Sequence, residues 1–379
     1  MKLFKVYIVC VVLSLFACKE EFTPKTTSFD NNLLVVEGFI NTGSDSTTIK
    51  LSRTVILANK KVANPETGAT ITIETSTNET RTLVERALGV YATPALNFGS
   101  NKKYRVKIKT KNGANYMSEF VDAVTSPPID SVNYVVKPEG LQLYVNTGDP
   151  ANKTHYYRWE FQETWIFYAQ FHSVAIWKGG PYAIDRLPEE YIYKCWGNAN
   201  SSTILLGSTV KLTKDVIHLS PLTDIEASSE RLTEKYSILV KQYALNKETY
   251  EFWESLKKNT ESLGSIFDVL PSQLTGNIRN VANNAEPVIG FISAGTMQEK
   301  RIFISKEQLP RWTVKSFGCN VLDTVPLTQQ KDVFYNFSVL PIEPLYSPIT
   351  GGLTGHTSAP RACADCTLRG TVRRPIFWQ

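Results

Sequence analysis

The sequence predicts a mainly β protein: an N-terminal immunoglobulin-like β-sandwich over residues 32–125, then a larger fibronectin III-like β domain over 129–379 that carries an insertion and one prominent helix. Three observations predict it. Short apolar/polar alternations of period two recur from Asn32 onward, Pro127-Pro128 breaks the chain between two sets of them, and the second set resumes after a long interruption.

In the first set, "LLVVEGFI" (Leu33 to Ile40) leads into "TTIKLSRT", where Ile49 and Leu51 face one way and Lys50 and Ser52 the other. Ile71 and Ile73 alternate with threonines in "ATITIE". Tyr104, Val106 and Ile108 alternate with Arg105, Lys107 and Lys109 before an Asn112-Gly113 turn. Period two with one polar face describes antiparallel sheet half exposed to water, and short strands between Gly, Pro and Asn turns suit a sandwich. "TSPPIDSV" (Thr125 to Val132) marks the boundary, because proline cannot donate ladder bonds.

In the second set, "LQLYVN" (Leu141 to Asn146) and "YYRWEF" (Tyr156 to Phe161) are joined much later by "KYSILVKQYAL" (Lys235 to Leu245), which leaves about 160–235 as an insertion. Asn246 caps a helix over "KETYEFWESLKK", with Glu248 in its first turn and Lys257 and Lys258 at its end, and with Tyr250, Trp253 and Leu256 forming a core-facing stripe. "PVIGFISAG" and "KRIFIS" read as a strand pair completing this domain. Beyond Phe337 the tail, with Pro341, Pro344, Pro348 and "GGLTGH", reads as loop fastened by cysteines.

Residues 1–17 have the form of an export signal: Lys2 and Lys5 precede an apolar run from Val6 to Ala17 that is too short to span a bilayer. Leu15-Phe16-Ala17-Cys18 resembles the lipobox of bacterial lipoproteins, which makes Cys18 the lipidated first residue of a polar tether over 18–31. Lys19-Glu20-Glu21 directly after it resembles the surface-export signal of Bacteroidota lipoproteins. No second run approaches membrane-spanning length, so the lipid is the expected anchor in the outer membrane, with the protein exposed at the cell surface.

The formal charge is +5; removing Lys2 and Lys5 leaves 39 basic against 36 acidic residues. So small an excess argues against a nucleic-acid partner, whose binding rests on clustered phosphate contacts. With 42% hydrophobic residues the chain can bury a large core. Outside the leader and the lipid site, Cys195, Cys319, Cys363 and Cys366 form an even set, which in an exported chain favours disulfides; three pairings are open. "CADC" (Cys363 to Cys366) lacks the companion motif of a zinc site and the strand-to-helix setting of a redox pair.

Catalytic motifs are not found: there is no GxSxG, HExxH, phosphate loop or EF-hand. His155, His172, His218 and His356 never fall at metal-ligand spacing, and the carboxylate pairs Glu189-Glu190 and Glu160 with Glu163 are not placed across a sugar by anything in the sequence. No catalytic residue, cofactor or metal is expected. The strongest signal is aromatic, with thirteen Phe, Tyr and Trp between Tyr156 and Trp196. Alternation assigns Tyr157, Trp159 and Phe161 to the core. Trp165, Trp177, Tyr182, Tyr191, Tyr193 and Trp196 are candidates for an interaction surface, because Trp and Tyr pair large apolar area with a polar handle. Asp45-Ser46-Thr47, Asp130-Ser131-Val132 and Asp323-Thr324-Val325 resemble the O-glycosylation sequon of exported Bacteroidota proteins.

The lipobox together with "LVVEGFI", "PPIDSV", "YYRWEFQETW", "KCW", "YSILVKQYAL", "GNIRNV", "EPVIGFISAG", "KRIFI" and "CADCTLRGT" resembles the Bacteroidota family called domain of unknown function 4249. The resemblance implies an outer-membrane lipoprotein encoded beside TonB-dependent receptors, with no established activity. The expected function is therefore noncatalytic: capture or uptake of a glycan or peptide nutrient as accessory to a TonB-dependent transporter. A surface-anchored hydrolase of polymers and a structural envelope lipoprotein are the alternatives.

Overall fold

The computed structural model describes residues 32–55, 64–99, 101–261, 276–314, 318–319 and 322–378. The expected leader and tether, with Cys18, Lys19, Glu20 and Glu21, lie outside the described residues. The chain first lays down β1 (Leu34–Asn41), β2 (Thr47–Arg53), β3 (Thr70–Thr75), β4 (Thr80–Ala87), β5 (Val90–Thr93), β6 (Lys103–Lys109), β7 (Asn115–Ser118) and β8 (Val121–Val124). Next come β9 (Ile129–Lys137), β10 (Gly140–Gly148), β11 (Tyr156–Tyr168), the short β12 (Ala175–Ile176) and β13 (Ile184–Asp185), β14 (Lys194–Asn200), β15 (Leu205–Ser208), β16 (Val216–Glu226) and β17 (Lys235–Leu245). Helix α1 (Lys247–Glu261) follows, then β18 (Ile278–Asn280), β19 (Ile289–Gly290), β20 (Ser293–Gly295), β21 (Met297–Ser305) and β22 (Asp323–Pro326). The chain ends with α2 (Gln330–Phe334), β23 (Val339–Tyr346), β24 (Leu353–Pro360) and α3 (Arg361–Ala364).

The N-terminal strands do not form the two separate sheets of an immunoglobulin-like sandwich. They close into an eight-stranded barrel in the order β6-β3-β4-β5-β2-β1-β20-β8, with β8 pairing back onto β6. The closing piece is β20, three residues from the segment expected to complete the second domain, which runs parallel between β1 and β8. Edge strands present unpaired N–H and C=O groups, and inserting β20 satisfies those of β1 and β8 together. The approach is so close that a Cβ on Gly295 would lie 2.0 Å from the Val124 carbonyl oxygen, which only glycine tolerates. Leu34, Val36, Ile71, Ile73, Tyr104 and Val106 fill the interior with Ile292 and Ala294 from the late segment.

The second domain packs a three-stranded sheet, β16-β10-β9, against β14-β11-β17-β21, with β15 also paired to β11. Leu141, Leu143 and Val145 meet Tyr157, Trp159, Tyr236, Ile238 and Val240 between the sheets. Much of 160–235 is thus strand rather than insertion. β16 escapes a sequence reading because it holds Pro221 and alternates poorly, both tolerated on the edge strand it forms. Helix α1 starts where expected, with Asn246 Oδ1 accepting from the Thr249 N–H at 2.9 Å. Its fully buried side chains are Thr249 and Phe252; Tyr250 and Trp253 are half-buried, Tyr250 against Tyr156 and Trp253 under Arg158.

The tail expected to be loop forms a third, small antiparallel sheet, β22-β24-β23. Pro341 and Pro344 were the apparent breakers, yet β23 is an edge of that sheet and its register shifts between those two prolines. A proline at an edge or bulge removes no ladder bond.

Candidate functional site

Residues 169–193, between β11 and β14, fold onto this third sheet. Val174 N–H donates to the Ile342 carbonyl at 2.9 Å, Phe171 N–H to that of Cys363 at 3.0 Å, and the Ser173 hydroxyl to that of Pro341 at 2.7 Å. Gln330, closed to solvent, accepts from Ala183 N–H at 2.7 Å through Oε1. Two disulfides clamp the arrangement: Cys195–Cys366, joining β14 to the turn after α3, and Cys319–Cys363. The four cysteines expected to bridge therefore do so, in one of the three possible pairings.

Between the 169–193 segment and the third sheet lies a cleft of about 240 Å³. Trp177, Phe334, Phe337, Val339 and Leu340 give it apolar walls, and Arg186, Arg361 and Asp365 give it charge. Trp177 is held by its Nε1–H donating to the Gly180 carbonyl at 2.9 Å and packs against Phe337, ring centres 6.2 Å apart. Arg361 is committed to Asp365 at 2.8 Å, and Asp365 also accepts from Thr367 N–H at 2.9 Å.

Arg186 is different. It is only 8% exposed, its Nε–H donates to Ser173 Oγ at 3.2 Å and its Nη1 to the Glu190 carbonyl at 3.1 Å, and among the described residues it has no ion pair. Burial pulls its guanidinium below the ordinary arginine range, partly offset by the fields of Glu190 and Asp365. Glu190 is itself paired with Lys178, which holds its carboxyl below the usual range.

The proposed interaction residues divide. Trp165 is a correction: it is buried in the sandwich core, beneath Arg231 and against Gly197, where an added Cβ would strike its ring. Strand β11 runs on to Tyr168, so alternation carries Trp165 inward after Tyr157, Trp159 and Phe161. Trp177 and Tyr193 are half-buried, Tyr193 stacked on His172 at 4.4 Å. Trp196 is half-buried, edge-on to Trp378. Tyr182 and Tyr191 are exposed, at 46% and 38%. Sequence reasoning missed Arg186, Phe334 and Phe337, since a lone arginine in "AIDRLPEE" has no local signature and only its burial distinguishes it.

Glu160 and Glu163 sit three apart on β11 and so face opposite sides. Glu163 accepts from Arg231 and the Tyr236 hydroxyl in the interior, and Glu160 from Arg158 and the Tyr243 hydroxyl. A second concavity of about 430 Å³ on the barrel is lined by Ser76, Asn101, Lys102, Lys103, Asp122 and Ala123. Its lysines are paired, Lys102 with Glu79 and Lys103 with Asp122, and it has no aromatic wall. Among the described residues no three His, Cys, Asp or Glu side chains are grouped to hold a metal, and no helix is long and apolar enough to cross a membrane.

A family model described as "Domain of unknown function (DUF4249)" matches residues 19–301. The chain belongs to this family. The DUF4249 match ends before β22, so Arg186 and the 169–193 segment lie within it, while the third sheet and the partners Cys319, Cys363 and Cys366 lie beyond it. No curated protein matches the chain. Among solved structures, one described as "Biofilm associated protein - BSP domain" is similar at 7% identity, over 75% of this chain and 62% of that one, with a TM-score of 0.16. The chain thus spans less than two thirds of that protein, and so low a score carries no argument about this DUF4249 member.

Proposed function

We propose that the protein is a noncatalytic lipoprotein of the outer-membrane surface that captures a small nutrient for a TonB-dependent transporter. The observation that carries this reading is the cleft: aromatic walls, one buried cation with no ion pair among the described residues, and two disulfides holding its sides. Sites for small ligands are typically concave and mostly apolar with a few placed polar groups. Lipidation at Cys18 and export through Lys19-Glu20-Glu21 confine such a binder to the membrane plane, where a modest interface with a transporter stays occupied. Exposed Tyr182 and Tyr191, on the rim segment, are the contacts we assign to that partner.

The second domain reads as fibronectin III-like. Its support is the strand order, with the first, second and sixth long strands in one sheet and the third, fourth, seventh and eighth in the other. For a hydrolase, the paired carboxylates offer no support, because Glu160 and Glu163 are on opposite faces.

The test is co-purification from detergent-solubilised outer membranes. Cys18→Ser should move the protein out of the membrane fraction and abolish labelling by an alkyne fatty acid, and Ala at Lys19, Glu20 and Glu21 should protect it from proteinase K added to intact cells. Tyr182→Ala with Tyr191→Ala should lose a co-purifying outer-membrane barrel while melting is unchanged. Retention of the label in Cys18→Ser, or absence of any barrel with the wild type, would overturn the reading, the latter in favour of a structural envelope protein.

A further inference from the structure

We propose that the cleft binds a carboxylate carried on an apolar body, with Arg186 taking the charge and Trp177, Phe334 and Phe337 taking the body; this rests on reading the protein as a capture module.

Arg186 has unused donor capacity. A guanidinium has five N–H donors in a planar fork, and among the described residues only two of those of Arg186 meet a protein acceptor. A buried charge is costly unless it is paired, yet the two carboxylates whose fields reach Arg186 are both engaged elsewhere, Glu190 by Lys178 and Asp365 by Arg361. Lining the cleft itself are two arginines and one aspartate. The surplus is a single positive charge, which one monoanion neutralises.

The occupant's chemistry follows from shape and charge together. A planar fork matches a carboxylate in bidentate fashion. Tetrahedral phosphate carries up to two charges and needs more donors than the remaining edge supplies. At about 240 Å³ the cleft is below the roughly 300–1,000 Å³ of sites for drug-sized ligands, so it suits a side-chain-sized group or chain end and not an oligosaccharide. Two sources share this chemistry: a free aryl or alkyl acid, and a peptide ending in an apolar residue with a free C-terminus.

Calorimetry on the full chain in detergent, under oxidising conditions, separates these cases. The probes are 3-phenylpropanoate and its amide, and Gly-Phe and its C-terminal amide. Each acid should bind about tenfold or more tightly than its amide, as charge-assisted hydrogen bonds require. Tighter binding of Gly-Phe than of 3-phenylpropanoate assigns a peptide end, and the reverse order a free acid. Arg186→Gln should erase the preference for acid over amide. Because that change also disturbs the contacts to Ser173 and Glu190, a second pair keeps the test independent of folding. Phe337 is 47% exposed with a positive φ of 57°, a conformation that Asn and Asp adopt readily. Phe337→Asp should therefore fold and weaken acid binding several-fold more than Phe337→Asn, through like-charge repulsion. Equal affinity for acids and amides, equal behaviour of the two Phe337 variants, or no binding of any probe would overturn the proposal. In that event retained co-purification of a barrel would leave the capture-lipoprotein reading standing.

Discussion

Trp159 Nε1–H donates to Gln242 Oε1 at 2.9 Å in the middle of the sandwich, where both side chains are closed to solvent. The Gln242 amide nitrogen in turn donates to the Pro127 carbonyl at 2.8 Å and to Thr147 Oγ1 at 3.0 Å. One side chain thus ties β17 to β11, β10 and the Pro-Pro boundary. Gln242→Leu keeps much of the volume but strands the indole N–H and a carbonyl, at about 1–3 kcal/mol for each buried group left unpaired. Urea unfolding should show a loss in the range of about 2–6 kcal/mol; a neutral effect would mean the network is not closed as described.

Barrel closure depends on Gly295. Gly295→Ala forces its new methyl against the Val124 carbonyl, and the two parallel pairings of β20 must spread. The expected cost is about 1–3 kcal/mol or more, as for other overpacked sites. Amide exchange should accelerate in β1 and β8 ahead of β3 and β4. Uniform protection in the variant would show that β20 does not hold the seam.

Both disulfides close long loops, with separations of 44 residues for Cys319–Cys363 and 171 for Cys195–Cys366. In the chain-entropy model each, taken alone, contributes about 4–5 kcal/mol. Cys195→Ala with Cys366→Ala should lower the melting temperature and loosen the cleft, since this bridge fastens the tail to β14. Peptide mapping without reductant should find the pairs 195–366 and 319–363, and either alternative pairing would refute the arrangement.

His356 is closed to solvent, and its Nδ1 accepts from the Gln330 amide at 2.8 Å. Burial pulls its pKa below the ordinary 6.5, with Asp185 opposing weakly. The folded protein therefore resists protonating this ring while the unfolded chain accepts the proton. Its linkage leaves stability intact above about pH 6.5 and erodes it as the pH falls below that value, until the folded-state pKa is passed. Against His356→Gln, which has no such proton, the wild type's advantage in unfolding free energy should shrink between about pH 7.5 and pH 5. A constant difference would show that His356 does not titrate differently on folding.

Where side-chain periodicity and cap chemistry act within a few residues, the amino-acid order alone was decisive. Tyr104-Val106-Ile108 had to be a one-sided strand, Asn246 had to start a helix, and an even set of four cysteines pointed to the two disulfides. Other features were set only by contacts between residues far apart in the chain. Whether β1 and β8 stay open as sandwich edges or are bridged into a barrel depends on Ser293–Gly295, some 170 residues beyond β8, and three residues carry no periodicity that reveals their place. Pro341 and Pro344 read as loop until an edge position makes them harmless. Trp165 and Tyr182 are both aromatic residues of one stretch, yet one is core and the other exposed, because burial is settled by what packs across the sheet. Arg186 shows the same limit most sharply: a guanidinium's chemistry is written in the residue, but that Glu190 and Asp365 pair instead with Lys178 and Arg361 is decided only by the fold.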